Sequence, residues 1–233
     1  MYPGGKNNSY QKIINLIPPH RVYIEAYAGS GAIMRYKKPA RINIALDLNE
    51  PVLAATKKRI LAEASLEMAR MPGKYKFLVE DAISFLSSYS FDGDEFVYLD
   101  PPYLMETRKT KRPLYEFEYS DKQHEQLLQL IKTLDCNIML SGYWSEMYTD
   151  YLSDWYTSSF ESMTRGGTMA TEWLWMNYPE PARLHDYQYL GDNFRERERI
   201  KRKGKRWVEG LLRLDVLEQR AILRAIEEAG LLR

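Results

Sequence analysis

The sequence predicts an α/β fold: a mostly parallel, doubly wound sheet with an antiparallel hairpin at one edge, followed by a basic helical C-terminal extension. Three observations predict it. Short apolar runs alternate with helical patterns from Val22 to Leu140, the pattern of a parallel sheet crossed by helices. Two further runs flank Thr164-Arg165-Gly166-Gly167-Thr168, whose glycines suit a hairpin turn. Beyond Pro179 and Pro181 the chain becomes polar, basic and helical in period, which divides it into a domain, 1–181, and an extension, 182–233.

Taken in order, Val22 to Tyr27, Ile42 to Leu46, Lys76 to Val79 and Phe96 to Leu99 read as buried strands. Asn49-Glu50-Pro51 starts a helix that runs to Arg70, since proline is favoured in a first turn and apolar residues then recur every three to four positions. Asp81 precedes a short helix. Ser120 with Gln123 forms a capping-box pattern ahead of Leu127, Leu128, Leu130 and Ile131, and a strand follows from Asn137 to Leu140. Thr157 to Met163 and Thr171 to Met176 make the hairpin, and Leu211 to Ile226 is helical in period.

Composition narrows the class. With 45% hydrophobic and 28% charged residues in 233, the chain is neither disordered nor membrane-embedded. The opening Met1-Tyr2-Pro3-Gly4-Gly5-Lys6 lacks a basic segment followed by an apolar stretch, so a cytoplasmic location is expected. Cys136 lies beside Ile138-Met139-Leu140 and reads as a buried thiol. His20, His124 and His185 have neither metal-ligand spacing nor cysteine partners, so surface or capping roles and no metal are expected. Net charge is only +1, but from Arg195 to Arg206 eight Lys or Arg stand against two Glu. The extension is the basic part.

Asp100-Pro101-Pro102-Tyr103 directly follows the apolar Val97-Tyr98-Leu99, where a strand delivers a catalytic loop. A given four-residue string of this kind arises by chance in roughly one such chain in a thousand. Its composition suits a weakly nucleophilic exocyclic amine, whose lone pair is delocalised into an aromatic ring. The Asp100 carboxylate and the Pro101 carbonyl, both acceptors, would draw on the amine hydrogens and stabilise the positive charge that develops during attack. Pro101 and Pro102 stiffen the loop, and Tyr103 offers a flat face to an extruded base. Proton loss follows transfer, because an ordinary aspartate is a weak base.

Glu25-Ala26-Tyr27-Ala28-Gly29-Ser30-Gly31 closes the first strand with two glycines that let a cofactor approach the backbone. Met34 stands where a dinucleotide fingerprint has its third glycine, which argues against NAD. Asp47 ends the second strand, where a carboxylate either binds ribose hydroxyls or caps the next helix; Asp81 ends the third with the same two readings.

Together, Tyr2-Pro3-Gly4-Gly5-Lys6, Tyr27-Ala28-Gly29-Ser30-Gly31, Asp47 and Asp100-Pro101-Pro102-Tyr103 resemble the Dam family of DNA N6-adenine methyltransferases. The resemblance continues through Tyr115 to Leu128, Ser141-Gly142-Tyr143 and Thr171 to Tyr178. It implies a Rossmann-like fold, S-adenosylmethionine as cofactor and DNA as partner. By the same resemblance Tyr2 and Lys6 contact the methionine end of the cofactor, Gly29 and Gly31 its close backbone approach, Asp47 its ribose and Asp81 its adenine. Tyr27, Ala28, Ser30, Ala82 and Asp100 complete that set. Lys6 alone would read as a solvated charge.

One departure bears on specificity. Familiar members carry an inserted target-recognition domain between the equivalents of Asp47 and Asp100, whereas here two helices and two strands occupy that interval. A short or relaxed recognition sequence is expected. Candidate phosphate contacts are Arg108, Lys109, Lys111 and Arg112 after the catalytic motif, and Arg195, Arg197, Arg199, Lys201, Arg202, Lys203, Lys205 and Arg206 in the extension. An RNA adenine substrate and a catalytically silent nucleic-acid-binding subunit are the competing readings.

Overall fold

The computed structural model describes residues 6, 9–67, 73–108, 115–163 and 167–231; the side chains of 63–67 lie outside the description. Tyr2, Lys109, Lys111 and Arg112 therefore fall outside the described residues. The chain divides into two compact units, Met1–Asp186 and Tyr187–Arg233.

Unit one begins with helix α1 (Tyr10–Ile14). It continues with β1 (Val22–Ala26), α2 (Ala32–Tyr36), β2 (Ile42–Leu46), α3 (Glu50–Glu67), β3 (Lys74–Leu78), α4 (Ala82–Ser88) and β4 (Glu95–Leu99). Then come α5 (Asp121–Ile131), β5 (Asn137–Gly142), α6 (Glu146–Tyr151), β6 (Tyr156–Met163) and β7 (Met169–Met176). One seven-stranded sheet runs β3-β2-β1-β4-β5-β7-β6. The first five strands are parallel, and β7 is antiparallel to both β5 and β6.

Burial explains which runs became strands. Every residue of β1 and β4 is buried, because helices cover both faces of central parallel strands. The edge strands β3 and β6 alternate toward solvent. Ile24, Val97, Leu99, Ile138 and Leu140 share one core with Leu127, Leu128 and Ile131 of α5. Helix α5 is held at its start by reciprocal Ser120–Gln123 capping, while Asn49 caps α3 by accepting from the Val52 amide at 3.1 Å.

Strand order reverses direction between β1 and β4, which pair directly with Glu25 opposite Tyr98. The carboxyl ends of neighbouring strands diverge there into a crevice. That topology brings Tyr27–Gly31, Asp47 and Asp100–Tyr103 to one edge.

Several expectations are corrected. Residues 182–186, read as the start of the extension, are fastened to unit one. The His185 amide bonds to the Ile17 carbonyl at 2.9 Å, and the Lys38 amide to Asp186 at 2.7 Å. His124 is not a surface residue, and His20 and His185 are half-buried. His124 is fully buried and hydrogen-bonds Tyr148, and His20 stacks on His185 with ring centroids 3.8 Å apart. Cys136, by contrast, is buried as expected, and its thiol is pushed up to about 12 by that burial.

Unit two contains α7 (Phe194–Leu212) and α8 (Val216–Glu228). The apolar periodicity from Leu211 to Ile226 is thus interrupted. Asp215 accepts from the amides of Leu217 and Glu218 at 2.8 and 3.1 Å, and this local alternative starts a new helix. Among the described residues no helix is long and apolar enough to cross a membrane.

Candidate active site

An open cleft of about 830 Å³ lies at the carboxyl ends of β1, β2 and β4. Its first wall is the turn after β1. The Gly29 amide donates to Asp47 Oδ2 at 2.8 Å, and Thr56 Oγ1 of α3 donates to the Gly29 carbonyl at 2.6 Å. Tyr27, Ala28, Gly29 and Ser30 line the cleft. Gly31, expected to admit the cofactor, faces α3 instead: a Cβ there would stand 2.6 Å from Thr56 Cγ2, and its φ is +62°. It serves the left-handed turn and helix packing.

Asp47 does not cap α3, a role Asn49 fills. Its Oδ1 accepts from the Asn49 amide at 2.9 Å, so each oxygen keeps a lone pair for the cleft. Burial raises its pKa, opposed by the two amide bonds. Asp81 caps α4 through the Ser84 amide at 2.9 Å, and it lines the cleft beside Ala82. The Tyr119 hydroxyl reaches Asp81 at 3.4 Å, and Tyr27 donates to Tyr119 at 2.8 Å.

The segment 115–119, which in the sequence stands out only as part of the resemblance, supplies Tyr115, Glu116, Phe117 and Tyr119 to the lining. Glu116 fastens it across the cleft, accepting from Asn49 Nδ2 at 2.6 Å. An aromatic at every second position was the available signal.

At the other end of the cleft stands Asp100. Lys6 Nζ lies 2.7 and 2.8 Å from its two oxygens, and Ser141 Oγ of β5 donates to Oδ1 at 2.7 Å. Oδ2 thereby keeps one lone pair. Burial raises the Asp100 pKa against the pull of Lys6 and Ser141. Lys6 is only 4% exposed, the opposite of a solvated charge; despite burial its ammonium is held protonated by Asp100 and Glu172. In the sequence Ser141 and Glu172 stand out only as parts of segments that carry the resemblance, because strand pairing across the sheet is what brings them here.

Pro102 lines the cleft and Pro101 is buried beside it. Tyr103 is also buried, so it does not present the open face expected of it. Its hydroxyl accepts from Lys6 at 2.7 Å and donates to Glu172 Oε2 at 3.2 Å, while Tyr143 packs edge-on with centroids 4.6 Å apart.

Arg108 is corrected as a phosphate contact. It is 6% exposed, its guanidinium grips both oxygens of Glu118 at 2.8 and 2.6 Å, and its Nε donates to the Tyr103 carbonyl at 2.7 Å. It secures the catalytic loop. The eight basic residues of the extension lie on α7, with Arg195, Arg199, Arg202 and Arg206 exposed. Their spacing of four, three and four residues places these four on one helix face.

The crevice, the turn after β1 and the carboxylate after β2 lie where a Rossmann-like methyltransferase fold holds its nucleotide cofactor. The model of the D12 class of N6 adenine-specific DNA methyltransferases matches residues 53–171, just over half of the chain, and the chain belongs to this family. No curated protein sequence matches it. Among solved structures it is similar to magnesium protoporphyrin IX methyltransferase (ChlM) from Synechocystis PCC 6803 with bound S-adenosylhomocysteine, at 11% identity and a TM-score of 0.49. That match covers 74% of this chain and 83% of the other. It is also similar to TrmK of M. capricolum in complex with S-adenosylhomocysteine, at 10% identity and a TM-score of 0.45, covering 95% and 96%.

S-adenosylmethionine is the methyl donor of this family, and the cleft fits it. A backbone turn with one glycine at φ +47°, a carboxylate with free lone pairs and an aromatic wall suit a nucleoside. Lys6 and Asp100 suit the charged amino-acid end.

Proposed function

We propose that the protein transfers a methyl group to the N6 amine of adenine in DNA. The observation that carries this reading is Asp100 itself: a half-buried carboxylate at the switch point, fixed by Lys6 and Ser141, with one lone pair of Oδ2 left to accept from an amine hydrogen. When bound, S-adenosylmethionine supplies an activated methyl group. Asp100 orients the target amine and, with the Pro101 carbonyl, stabilises the positive charge that grows on nitrogen during direct attack, so no covalent enzyme intermediate is required. Released from the amine after transfer, the proton passes to solvent.

The adenine must leave a base stack to reach this depth. Pro102, which lines the cleft, would meet an extruded base, and the buried Tyr103–Tyr143 pair supports the loop that carries it. Tyr27, Ala28, Gly29, Ser30, Asp47, Asp81 and Ala82 hold the nucleoside part of the cofactor, and Lys6 its charged end. The four exposed arginines of α7 contact phosphates, a role for which Arg108 is too deeply paired.

We read this chain as a short member of the Dam type, with a short or relaxed recognition sequence. Supporting this, α3, β3, α4 and β4 fill the interval between Asp47 and Asp100. A cytoplasmic setting suits such a substrate.

The test is transfer of labelled methyl from S-adenosylmethionine to duplex DNA, single-stranded DNA and RNA, with Asp100→Ala as control and mapping of the modified bases. N6-methyladenine in DNA, absent with the variant, is expected. Label on RNA alone would move the substrate, and cofactor binding without any label would leave a binding subunit.

A further inference from the structure

A carboxylate is useful to a developing cation only if its charge is not already cancelled. Asp100 has Lys6 Nζ within 2.8 Å of both oxygens, so the two form a neutral pair. The second carboxylate is on β7. Glu172 Oε2 stands 3.5 Å from the same ammonium and accepts from the Tyr103 hydroxyl at 3.2 Å, while Ser162 Oγ of β6 donates to Oε1 at 2.5 Å. Glu172 is 9% exposed.

We propose that Glu172 is a positioning residue that acts through Lys6 and Tyr103 and gives the buried site one negative charge in excess, so that the site prefers a cationic occupant to a neutral one. The proposal rests on the S-adenosylmethionine site described above and adds to it a residue on the hairpin. Its physical basis is a count of charge among partners in contact. Lys6 contributes one positive charge; Asp100 and Glu172 contribute two negative ones. Although burial opposes ionisation, Lys6 and the bonds from Ser162 and Tyr103 outweigh it and keep the Glu172 carboxyl below its usual range. Glu25, a buried carboxyl bonded to Tyr23 and the Met34 amide, is pushed up to about 8 by burial, which favours its neutral form at pH 7. At the Asp100 end of the cleft the excess charge therefore belongs to the Lys6, Asp100 and Glu172 cluster, while Asp47, Glu80, Asp81 and Glu116 also line the cleft and are unchanged when Glu172 is replaced.

The same excess bears on chemistry. Methyl transfer breaks a carbon–sulfur bond and forms a carbon–nitrogen bond, and the positive charge moves from sulfonium to amine before the nitrogen loses its proton. A net negative site favours the charge at either end. Once the charge has left with the proton, the thioether product is neutral and loses that attraction, which assists its release.

The experiment compares a sulfonium with a thioether of nearly the same shape. Affinities of S-adenosylmethionine and S-adenosylhomocysteine are measured by calorimetry for the wild-type chain, Glu172→Gln, Glu172→Asp and Ser162→Ala. Glu172→Gln is expected to lower the ratio of sulfonium to thioether affinity by about tenfold, the size of one partly buried charge acting across several ångströms. Glu172→Asp keeps most of the ratio, because the charge remains, and Ser162→Ala, which removes a hydrogen bond and no charge, leaves it within about twofold. Equal weakening of both ligands by Glu172→Gln, or no change in the ratio, would overturn the proposal; should that variant fail to fold, loss of the ratio in Ser162→Ala with its charge intact would do the same. Methyl transfer is not read in this experiment. A wild-type chain that binds both ligands but methylates no nucleic acid would fail the proposed function and leave the charge measurement standing.

Discussion

The Lys6 ammonium bridges the two oxygens of Asp100 at 2.7 and 2.8 Å and donates to the Tyr103 hydroxyl at 2.7 Å. A residue near the start of the chain thus ties both ends of the catalytic motif. Removing it would leave Asp100 and Glu172 buried without a cation, and an uncompensated buried charge costs about 3–5 kcal/mol. Lys6→Met is expected to lower the Tm by about 10 °C, at roughly 2–4 °C per kcal/mol for a chain of this size. Scanning calorimetry at neutral pH checks it, and a Tm within about 2 °C of wild type would mean that this pair contributes little to the fold.

Arg108 offers a sharper contrast between two roles. Its bidentate pair with Glu118 and its bond to the Tyr103 carbonyl predict that Arg108→Met destabilises the fold by about 3 kcal/mol. The salt dependence of nucleic-acid binding should not change. Thermal unfolding and binding titrations over a salt series separate the two; an unchanged Tm with a shallower salt slope would restore the phosphate contact.

Where the sequence was legible, the reason was two-sided burial. Ile42–Leu46, Glu95–Leu99 and Asn137–Gly142 are mostly apolar runs because helices cover both faces, and the motifs that follow β1, β2 and β4 lie at the crevice by topology alone. Helices α1, α2 and α6, of five or six residues, are too short to display a period. Arg108 is not legible as a paired residue because its partner, Glu118, is ten positions away and is brought to it only by the fold. Glu172 was silent for a related reason: it reaches Lys6 through a strand on the far side of the sheet order from β1.

Gly31 tests the turn after β1. Its φ of +62° disfavours any side chain, and an added Cβ would overlap Thr56 Cγ2 at 2.6 Å. The left-handed conformation alone costs about 1–2 kcal/mol for an L-residue. Gly31→Ala should lower the Tm and weaken cofactor affinity together, since Thr56 also holds the Gly29 carbonyl at 2.6 Å. Calorimetry reads both, and unchanged affinity in a destabilised variant would uncouple the packing from the cofactor site.

For the extension, replacing Arg195, Arg199, Arg202 and Arg206 by Gln removes four charges from one face of α7. Each lost phosphate contact reduces the slope of log K against log salt by about 0.9 on duplex DNA. A parallel displacement of the binding curves, with no change of slope, would place the phosphate contacts elsewhere.

The three histidines predict an acid-sensitive fold. Burial, reinforced by the Lys37 charge, lowers His20 to about 2 and His185 to about 4, and burial lowers His124 to about 4. In the unfolded chain each titrates near about 6.5. Folded pKa values below unfolded ones mean that the unfolded state takes up protons first as pH falls. Their contribution is therefore fully present above pH 6.5 and is lost progressively toward pH 4, with His20 continuing below. Glu25 and Asp100, both raised, act in the opposite sense, so the test must isolate the histidines. The double variant His20→Gln with His185→Gln loses the ring stack and should melt below wild type at pH 7.5, yet its Tm should fall less between pH 7.5 and pH 5. Thermal melts of both chains across that range decide the matter, and parallel curves would show that the stacked pair does not set the acid limb.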